Sequence, residues 1–195
     1  MTTYKNCLYL ASQSPRRAEL LQQIGLEFEL LAVDVDETPF ANESAPDYVQ
    51  RLAIAKAQAG WRQLEERGLQ ALPVLGADTS VVLGEQIMGK PRDRAHGLAM
   101  LKSLSDRTHQ VMSAVCLCYQ RQQLLALNIT EVTFRPITEI ESLDYWDSGE
   151  PLGKAGAYAI QGRAAIFIKR IKGSYSSVVG LPLLETSQLL TQIQR

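Results

Sequence analysis

The chain has 195 residues, 46% of them hydrophobic, and 20 basic and 21 acidic side chains give a formal net charge of −1. A chain of this length buries enough apolar surface for its own core, so we expect one domain over residues 1–195. The balanced charge gives no electrostatic reason to expect a nucleic-acid or membrane surface. No apolar run approaches the roughly 20 residues that a membrane span needs.

Cysteine usage favours a reducing compartment. The count of three is odd, and the spacing of Cys7, Cys116 and Cys118 matches no zinc or redox motif. Cys116 and Cys118 lie two apart in an apolar stretch, so they are expected as core thiols on one strand face. The N-terminus lacks the pattern of a signal peptide. We therefore predict a cytoplasmic protein.

In chain order, strands and helices alternate through the first half. Ser14 and Pro15 are typical of a helix start, and Gly25 and Gly68 of helix ends. The predicted elements are a strand at 7–11, a helix from Pro15 to Gly25, a strand at 28–33, an acidic loop at 34–46 and a helix at 47–67.

The second half adds hairpins to this alternation. Asp93 is expected to cap one helix, and Thr138 with Glu141 forms a capping box for another. The predicted elements are a strand at 74–83, a turn at 84–86, a helix to Leu104, hairpin strands at 110–119 and 124–134, a helix to about 148, strands at 155–160 and 164–171, and a helix to Gln194. This mixture predicts an α/β fold with a mixed sheet rather than a purely parallel one.

Asp78 interrupts an apolar strand, Val74–Leu83. A carboxylate inside a buried strand is costly unless it is paired or bound to a metal. Gly76 and Ala77 leave room for a ligand to approach the backbone. The alternative is an exposed carboxylate on an edge strand.

Two lysines are candidates for binding an anion. Lys56 lies in register with the apolar face of the 47–67 helix, so it either snorkels from the core edge or points into a cleft. Lys90 follows Gly89 in a near match to the P-loop pattern. Pro91 rules that motif out, because it removes the magnesium-binding hydroxyl and disfavours the helical conformation of Lys90. Lys90 then either reaches a phosphate from a turn or is simply solvated.

The turn Ser12-Gln13-Ser14-Pro15-Arg16-Arg17 leads from a buried strand into a helix. Backbone N–H groups, hydroxyls and two guanidiniums at a helix start can bind an anion, although many ordinary helix starts look similar. The two histidines, His96 and His109, are expected in surface or capping roles. Together with Asp78 and the lysines, the turn gives the outline of a metal-assisted phosphate enzyme.

The chain resembles the Maf family in a series of short motifs that keep their order over nearly the whole length. These are Leu10-Ala11-Ser12-Gln13-Ser14-Pro15-Arg16-Arg17, Asp36-Glu37-Thr38, Arg51-Leu52-Ala53 with Lys56-Ala57, Gly76-Ala77-Asp78-Thr79, Gly89-Lys90-Pro91 and Val179-Gly180-Leu181-Pro182. Signature positions at Arg16, Thr79 and Gln161 are similar to those of the branch that hydrolyses dTTP and UTP.

The resemblance implies a mixed central sheet with flanking helices and two lobes around a cleft, similar to inosine triphosphate pyrophosphatase. It implies hydrolysis of a nucleoside triphosphate to the monophosphate and pyrophosphate, a divalent cation (Mg²⁺ or Mn²⁺), and a homodimer. Asp78 is the expected catalytic residue, and Glu37 and Asp78 the expected metal ligands. The expected substrate-binding residues are Ser12, Arg16, Lys56, Thr79, Lys90 and Gln161. A 7-methyl-GTP pyrophosphatase and a nucleotide-binding regulator of septum formation without significant turnover are the alternatives.

Overall fold

The computed structural model describes residues 8–193, so Cys7 and Gln194 lie outside the described residues. Within that range the strands are β1 (Leu8–Ala11), β2 (Phe28–Leu30), β3 (Val74–Leu83), β4 (Gln86–Met88), β5 (Thr108–Tyr119), β6 (Gln122–Phe134) and β7 (Ile168–Lys172). The helices are α1 (Pro15–Gln23), α2 (Ala45–Arg67), α3 (Arg94–Leu104), α4 (Glu139–Asp147), α5 (Tyr175–Val179) and α6 (Leu183–Ile193).

The strands of residues 8–193 form one mixed sheet in the order β2-β1-β3-β5-β6-β7, with β4 also paired to β3. β1 runs parallel to both β2 and β3, and the remaining pairs are antiparallel. The predicted mixed α/β fold with flanking helices is confirmed. Among the described residues, none of the helices has the length and apolar character needed to span a bilayer.

Helices cover both faces of the sheet because neighbouring strand residues point to opposite sides. Leu75 packs in a cluster with residues of α1, α5 and α6, among them Leu20 and Leu189. The next residue, Gly76, faces α2, where a Cβ atom would overlap the backbone at Ala53 and Ala57. The glycine therefore lets α2 lie directly against β3.

Local signals placed most helix ends correctly. Gly68 ends α2 in a left-handed conformation, Asp93 caps α3, and Thr138 and Glu141 form the expected capping box of α4. α2 begins at Ala45, two residues earlier than predicted, because the Ser44 hydroxyl accepts the Asp47 N–H at 3.3 Å. β2 is shorter than the predicted strand at 28–33, and the short elements β4 and α5 were not predicted.

The predicted strands at 155–160 and 164–171 are wrong except at β7. Ala155–Ala157 and Arg163–Phe167 are 3-10 turns. Gly156 and Ala157 have φ values of 66° and 58°, which no strand accommodates. Most apolar side chains of this segment are buried nonetheless, among them Tyr158, Ile160 and Phe167, whereas Ile166 is exposed. The run of apolar residues therefore led to the prediction of a strand that the backbone does not form.

Candidate active site

A gap in the sheet places Asp78 and Thr79 beside open space. β5 pairs with β3 along residues 74–82. On the other edge of β3, β1 pairs only at 74–76 and β4 only at 81–83. Residues 77–80 therefore have no strand partner on that edge within the described part of the chain. A cavity of about 950 Å³ opens there, so side chains from both faces of β3 reach it.

Asp78 and Lys56 form a close ion pair inside this cavity. The Lys56 Nζ lies 2.7 Å from Asp78 Oδ1 and 2.8 Å from Glu37 Oε1. The Asp78 and Lys56 side chains are only 10% and 11% exposed. Asp78 is therefore buried and paired, and Lys56 points into the cleft rather than snorkelling away from it.

Glu37 joins the two lysines at the mouth of the cavity. Its Oε2 accepts a hydrogen bond from Lys90 Nζ at 3.2 Å, while its Oε1 faces Lys56. Partial burial raises the pKa of Glu37, but hydrogen bonds and charge from Lys56 and Lys90 outweigh it and lower the pKa overall. Glu37 is thus held as a carboxylate. Lys90, 62% exposed, remains accessible to an anion.

The first turn of α1 supplies further positive charge along the cavity wall, through Arg17 more than Arg16. Arg17 donates from Nε to the Gly180 carbonyl at 2.8 Å, from Nη1 to Ser12 Oγ at 3.1 Å, and over 3.5 Å from Nη2 to Thr79 Oγ1. It links the turn, β3 and the segment after α5. Burial lowers the pKa of Arg17, opposed by the charges of Asp78 and Glu37; an arginine stays protonated even so.

Ser12 and Thr79 both lie at this wall. The Ser12 hydroxyl oxygen accepts from Arg17 and from the Ser14 N–H at 3.2 Å, which leaves the Ser12 hydrogen available to an anion. Thr79 Oγ1 contacts Ser113 Oγ at 2.8 Å and the Gly180 carbonyl at 3.3 Å. Neither residue is isolated, so both are held in position before any ligand arrives.

Of the two remaining predicted residues, Arg16 lines the cavity and Gln161 does not. Arg16 lies close enough to Lys154 to lower the pKa of that lysine. Gln161 is exposed and is not part of the cavity wall, although Ile160 is. The role of Gln161 in reading the base therefore stays a prediction.

Tyr48 and Lys154 also line the cavity, and neither was predicted as a site residue. Tyr48, on α2, donates its hydroxyl to the Glu37 carbonyl at 2.9 Å. Burial, and then the charges of Asp78 and Glu37, raise the pKa of Tyr48 to about 12, so it remains a neutral donor. Lys154 directly precedes the segment 155–160 that was predicted as a strand. Its pKa is lowered by burial and by Arg16. The only feature of the sequence that pointed to Tyr48 was its place on α2, one turn before Arg51.

His109 is a correction, because it was expected at the surface or as a cap. It is 2% exposed, and its Nε2 lies 2.8 Å from the Tyr158 hydroxyl. The ring also packs edge-on against Phe134, with 5.0 Å between centroids. Burial lowers the pKa of His109 to about 4. His109 is therefore a neutral core residue that contacts Tyr158, which lines the cavity.

The donor set fits a hard divalent cation that the substrate helps to hold. Asp78 and Glu37 converge on one ammonium group within 2.8 Å, and carboxylate oxygens are the ligands that Mg²⁺ prefers. Residues 8–193 contain no group of three or more His, Cys, Asp or Glu side chains placed to bind a metal. Mg²⁺ sites of one or two carboxylates completed by phosphate oxygens do not need such a group.

Known proteins that are similar to this chain identify its family. A dTTP/UTP pyrophosphatase of Nitrosomonas europaea is 54% identical over 200 residues, with 98% of this chain and 97% of the relative covered. One of Saccharophagus degradans is 53% identical, with 94% and 87% covered. The Ham1 protein of Staphylococcus aureus matches 66% of this chain and 72% of its own at 14% identity and a TM-score of 0.47. That likeness is too slight to bear on the expected similarity to inosine triphosphate pyrophosphatase. The family model described as Maf-like protein matches residues 7–193, and the chain belongs to the Maf family.

Proposed function

We propose that this chain hydrolyses dTTP and UTP to the nucleoside monophosphate and pyrophosphate. The observation that carries the proposal is identity of more than half over nearly the full length of relatives named dTTP/UTP pyrophosphatase. The cavity supports it, because it combines the buried carboxylate of Asp78 and the carboxylate of Glu37 at its mouth with several cations around a gap in the sheet.

Charge neutralisation is the first task of such a site, since three linked phosphates repel both one another and the carboxylates. Lys56, Lys90 and Arg17 bring three positive charges to the cavity, and the Ser12 hydroxyl and the N-terminus of α1 add donors. In transfer reactions at phosphorus, positioning and electrostatic stabilisation supply most of the catalysis. We assign these groups to the triphosphate and Arg16 and Thr79 to the nucleoside end.

Asp78 is the proposed proton acceptor. Its Oδ1 is bonded to Lys56, so its other oxygen is the one available to a water molecule. Water attacks the α-phosphorus, the bond to the oxygen bridging the α- and β-phosphorus breaks, and pyrophosphate leaves. The proton of the attacking water passes to the Asp78 carboxylate. The contact with Lys56 holds that carboxylate in one orientation until the proton arrives.

A divalent cation completes the proposed site. Asp78 and Glu37 are the residues that would hold it, with Mg²⁺ or Mn²⁺ as the expected ion. When bound, such an ion neutralises phosphate charge and lowers the pKa of water. Lys56 lies between the two carboxylates and prevents their mutual repulsion before the ion and the substrate bind.

We further propose that residues 1–195 act as a single Maf-like domain, as a homodimer, in the cytoplasm. The buried free thiols Cys116 and Cys118 support a reducing compartment. The homodimer rests on the family resemblance. Light scattering after size exclusion tests it directly: a mass near 43 kDa, twice the 21.6 kDa of one chain, is expected, and a mass of one chain contradicts it.

One assay tests the activity against both alternatives. The purified protein is incubated with Mg²⁺ and dTTP, UTP, CTP, ATP or 7-methyl-GTP in turn, and the monophosphate and pyrophosphate are quantified. We expect equal amounts of dTMP and pyrophosphate from dTTP, lost with EDTA and restored by Mg²⁺ or Mn²⁺. Production of dTDP and orthophosphate contradicts a pyrophosphatase. Preference for 7-methyl-GTP, or binding without turnover, identifies the other enzyme or a regulatory protein.

A further inference from the structure

The segment that carries Glu37 has almost no regular structure of its own. Residues 31–44 connect β2 to α2 as an irregular loop, and loops of this length in compact domains are usually functional or mobile. Glu37 nevertheless bonds to both Lys56 and Lys90 across the cavity. Contacts with the rest of the protein must therefore hold the loop for this contact to persist.

Arg51 on α2 holds the loop at three points. Its Nε and Nη2 form a two-pronged pair with Glu43 at 2.5 and 2.8 Å. Its Nη2 also donates to the Thr38 carbonyl at 3.1 Å. Its guanidinium carbon lies 4.0 Å from the centre of the Phe40 ring. Arg51 thus contacts both ends of residues 38–43, which follow Glu37 directly.

The pair is well protected although it lies near the surface. The Glu43 side chain is 7% exposed and that of Arg51 24%. A planar guanidinium can meet both carboxylate oxygens and stack on a ring at once, which an ammonium cannot do. The contacts therefore depend on arginine in particular and not only on positive charge.

Arg51 does not line the cavity, so it acts on the site through the loop and through Tyr48, whose ring centre lies 5.4 Å from the guanidinium carbon. Tyr48, one turn earlier on α2, holds the Glu37 carbonyl at 2.9 Å. The same helix carries Lys56, which meets the Glu37 side chain. α2 therefore binds the loop twice, at the Glu37 backbone carbonyl through Tyr48 and at the Glu37 carboxylate through Lys56.

We propose that Arg51 is a positioning residue that holds Glu37 in reach of Lys56 and Lys90, and so sets how strongly the site binds a divalent cation with its triphosphate. The proposal rests on the proposed function for its ligand. Its structural half, the restraint of residues 34–44 by Arg51, does not.

The test compares Arg51→Lys with a matched control, Arg135→Lys. Arg135 makes the same kinds of contact away from the cavity. It pairs with both oxygens of Glu141 at 2.7 and 3.2 Å, donates to the Ile166 carbonyl at 2.8 Å, and lies 5.3 Å from the Phe167 ring centre. Both substitutions keep the positive charge and remove the planar guanidinium that bonds to both carboxylate oxygens. General destabilisation therefore affects the two variants alike.

Two quantities are measured for each variant. Hydrogen exchange followed by mass spectrometry reports the opening of residues 34–44. Mn²⁺ binding in the presence of dTTP, followed by electron paramagnetic resonance, and the Mg²⁺ concentration for half-maximal turnover report the site. For Arg51→Lys we expect faster exchange in 34–44 and about a 10-fold weaker response to the cation, at the lower end of the loss caused by removing a direct partner of a metal ligand, because Arg51 acts on Glu37 indirectly. For Arg135→Lys we expect neither.

A second variant, Glu43→Gln, changes the other partner of the ion pair with Arg51. It should reproduce both effects. Adding it to Arg51→Lys should weaken cation binding little further, because both substitutions remove the same contact. Faster exchange without a change in the cation response, or the reverse, overturns the proposal, as does an equal effect of Arg135→Lys. A wild-type protein that binds Mn²⁺ with dTTP but does not turn it over overturns only the proposed function.

Discussion

At the residue scale, the pairing of Asp78 with Lys56 determines what substitution does. Asp78→Asn should abolish most turnover, since an amide accepts no proton and binds a cation poorly. It should also lower the free energy of unfolding by about 1–2 kcal/mol, because Lys56 keeps Glu37 but loses its most buried partner. Product formation and urea unfolding measure the two effects. Asp147→Asn, at an exposed ion pair with Arg94, should change neither. Near-normal turnover removes Asp78 from the mechanism.

His109 gives the protein a pH dependence of stability. Its pKa of about 4 in the folded state lies below the value of about 6.5 in an unfolded chain. The unfolded state therefore binds more protons between pH 6.5 and 4, and stability falls as the pH drops through that window. We expect a loss of about 2 kcal/mol from pH 7 to pH 5 from this residue.

Urea unfolding of two variants at both pH values isolates this contribution. His109→Gln should remove the loss, and His96→Gln should retain it, because His96 lies near the exposed start of α3. If His109→Gln shows the full wild-type loss, another group is responsible.

Gln161 is the predicted reader of the base. A glutamine amide can meet the ring N–H of uracil or thymine and a neighbouring carbonyl, whereas cytosine presents the opposite pattern. Gln161→Glu should therefore reduce dTTP and UTP turnover and leave the cation response unchanged. The ratio of kcat/KM for dTTP to that for dCTP is the measurement. An unchanged ratio means that this exposed side chain does not contact the base.

At the scale of elements, one carboxylate organises the irregular segment beside the cavity. Glu150 accepts the N–H groups of Arg163 at 2.8 Å and Ala164 at 3.4 Å, and the Tyr145 hydroxyl at 2.8 Å. The Tyr145 oxygen in turn accepts the Ala159 N–H at 3.2 Å. Backbone groups that a strand would satisfy are met here by side chains.

Glu150→Gln should therefore destabilise the protein by about 1–3 kcal/mol, because the amide turns a donor toward other donors. Gly162→Ala should have a similar effect, since its Cβ would overlap the Glu150 carboxylate. Thermal unfolding measures both. Glu85→Gln, in the exposed turn before β4, is the control and should leave stability unchanged. A neutral Glu150→Gln would show that this network does not hold the segment.

At the scale of the whole molecule, ligand binding should raise thermal stability only when cation and nucleotide are present together. Two carboxylates already shared with Lys56 bind an isolated ion weakly, whereas a triphosphate supplies the missing oxygens. A non-hydrolysable dTTP analogue at 100 times its Kd, with Mg²⁺, should raise Tm by about 5 °C or more. Mg²⁺ alone should not.

Lys56→Ala should remove most of that shift, whereas Lys102→Ala on α3 should retain it. Differential scanning calorimetry of the three proteins gives the comparison. A full shift with Mg²⁺ alone would mean that the protein binds the ion without help from the substrate.

The sequence by itself determined the elements whose signals are local. β3 spans the predicted residues, and α3 and α4 begin at the predicted caps, because capping and apolar alternation act within a few residues. The family motifs likewise pointed to Asp78, Lys56, Glu37 and Lys90, which the structure brings together.

Only the tertiary structure decided the partners and the shape of the site. Whether Lys56 points inward depends on Glu37 and Asp78, which lie 19 and 22 residues away from it. The use of Arg17 depends on Gly180, 163 residues away. The gap beside residues 77–80 exists because β1 and β4 pair with different parts of β3. Contacts between distant segments leave no local pattern, so neither the ion pairs nor the cavity could be derived before the sheet was assembled.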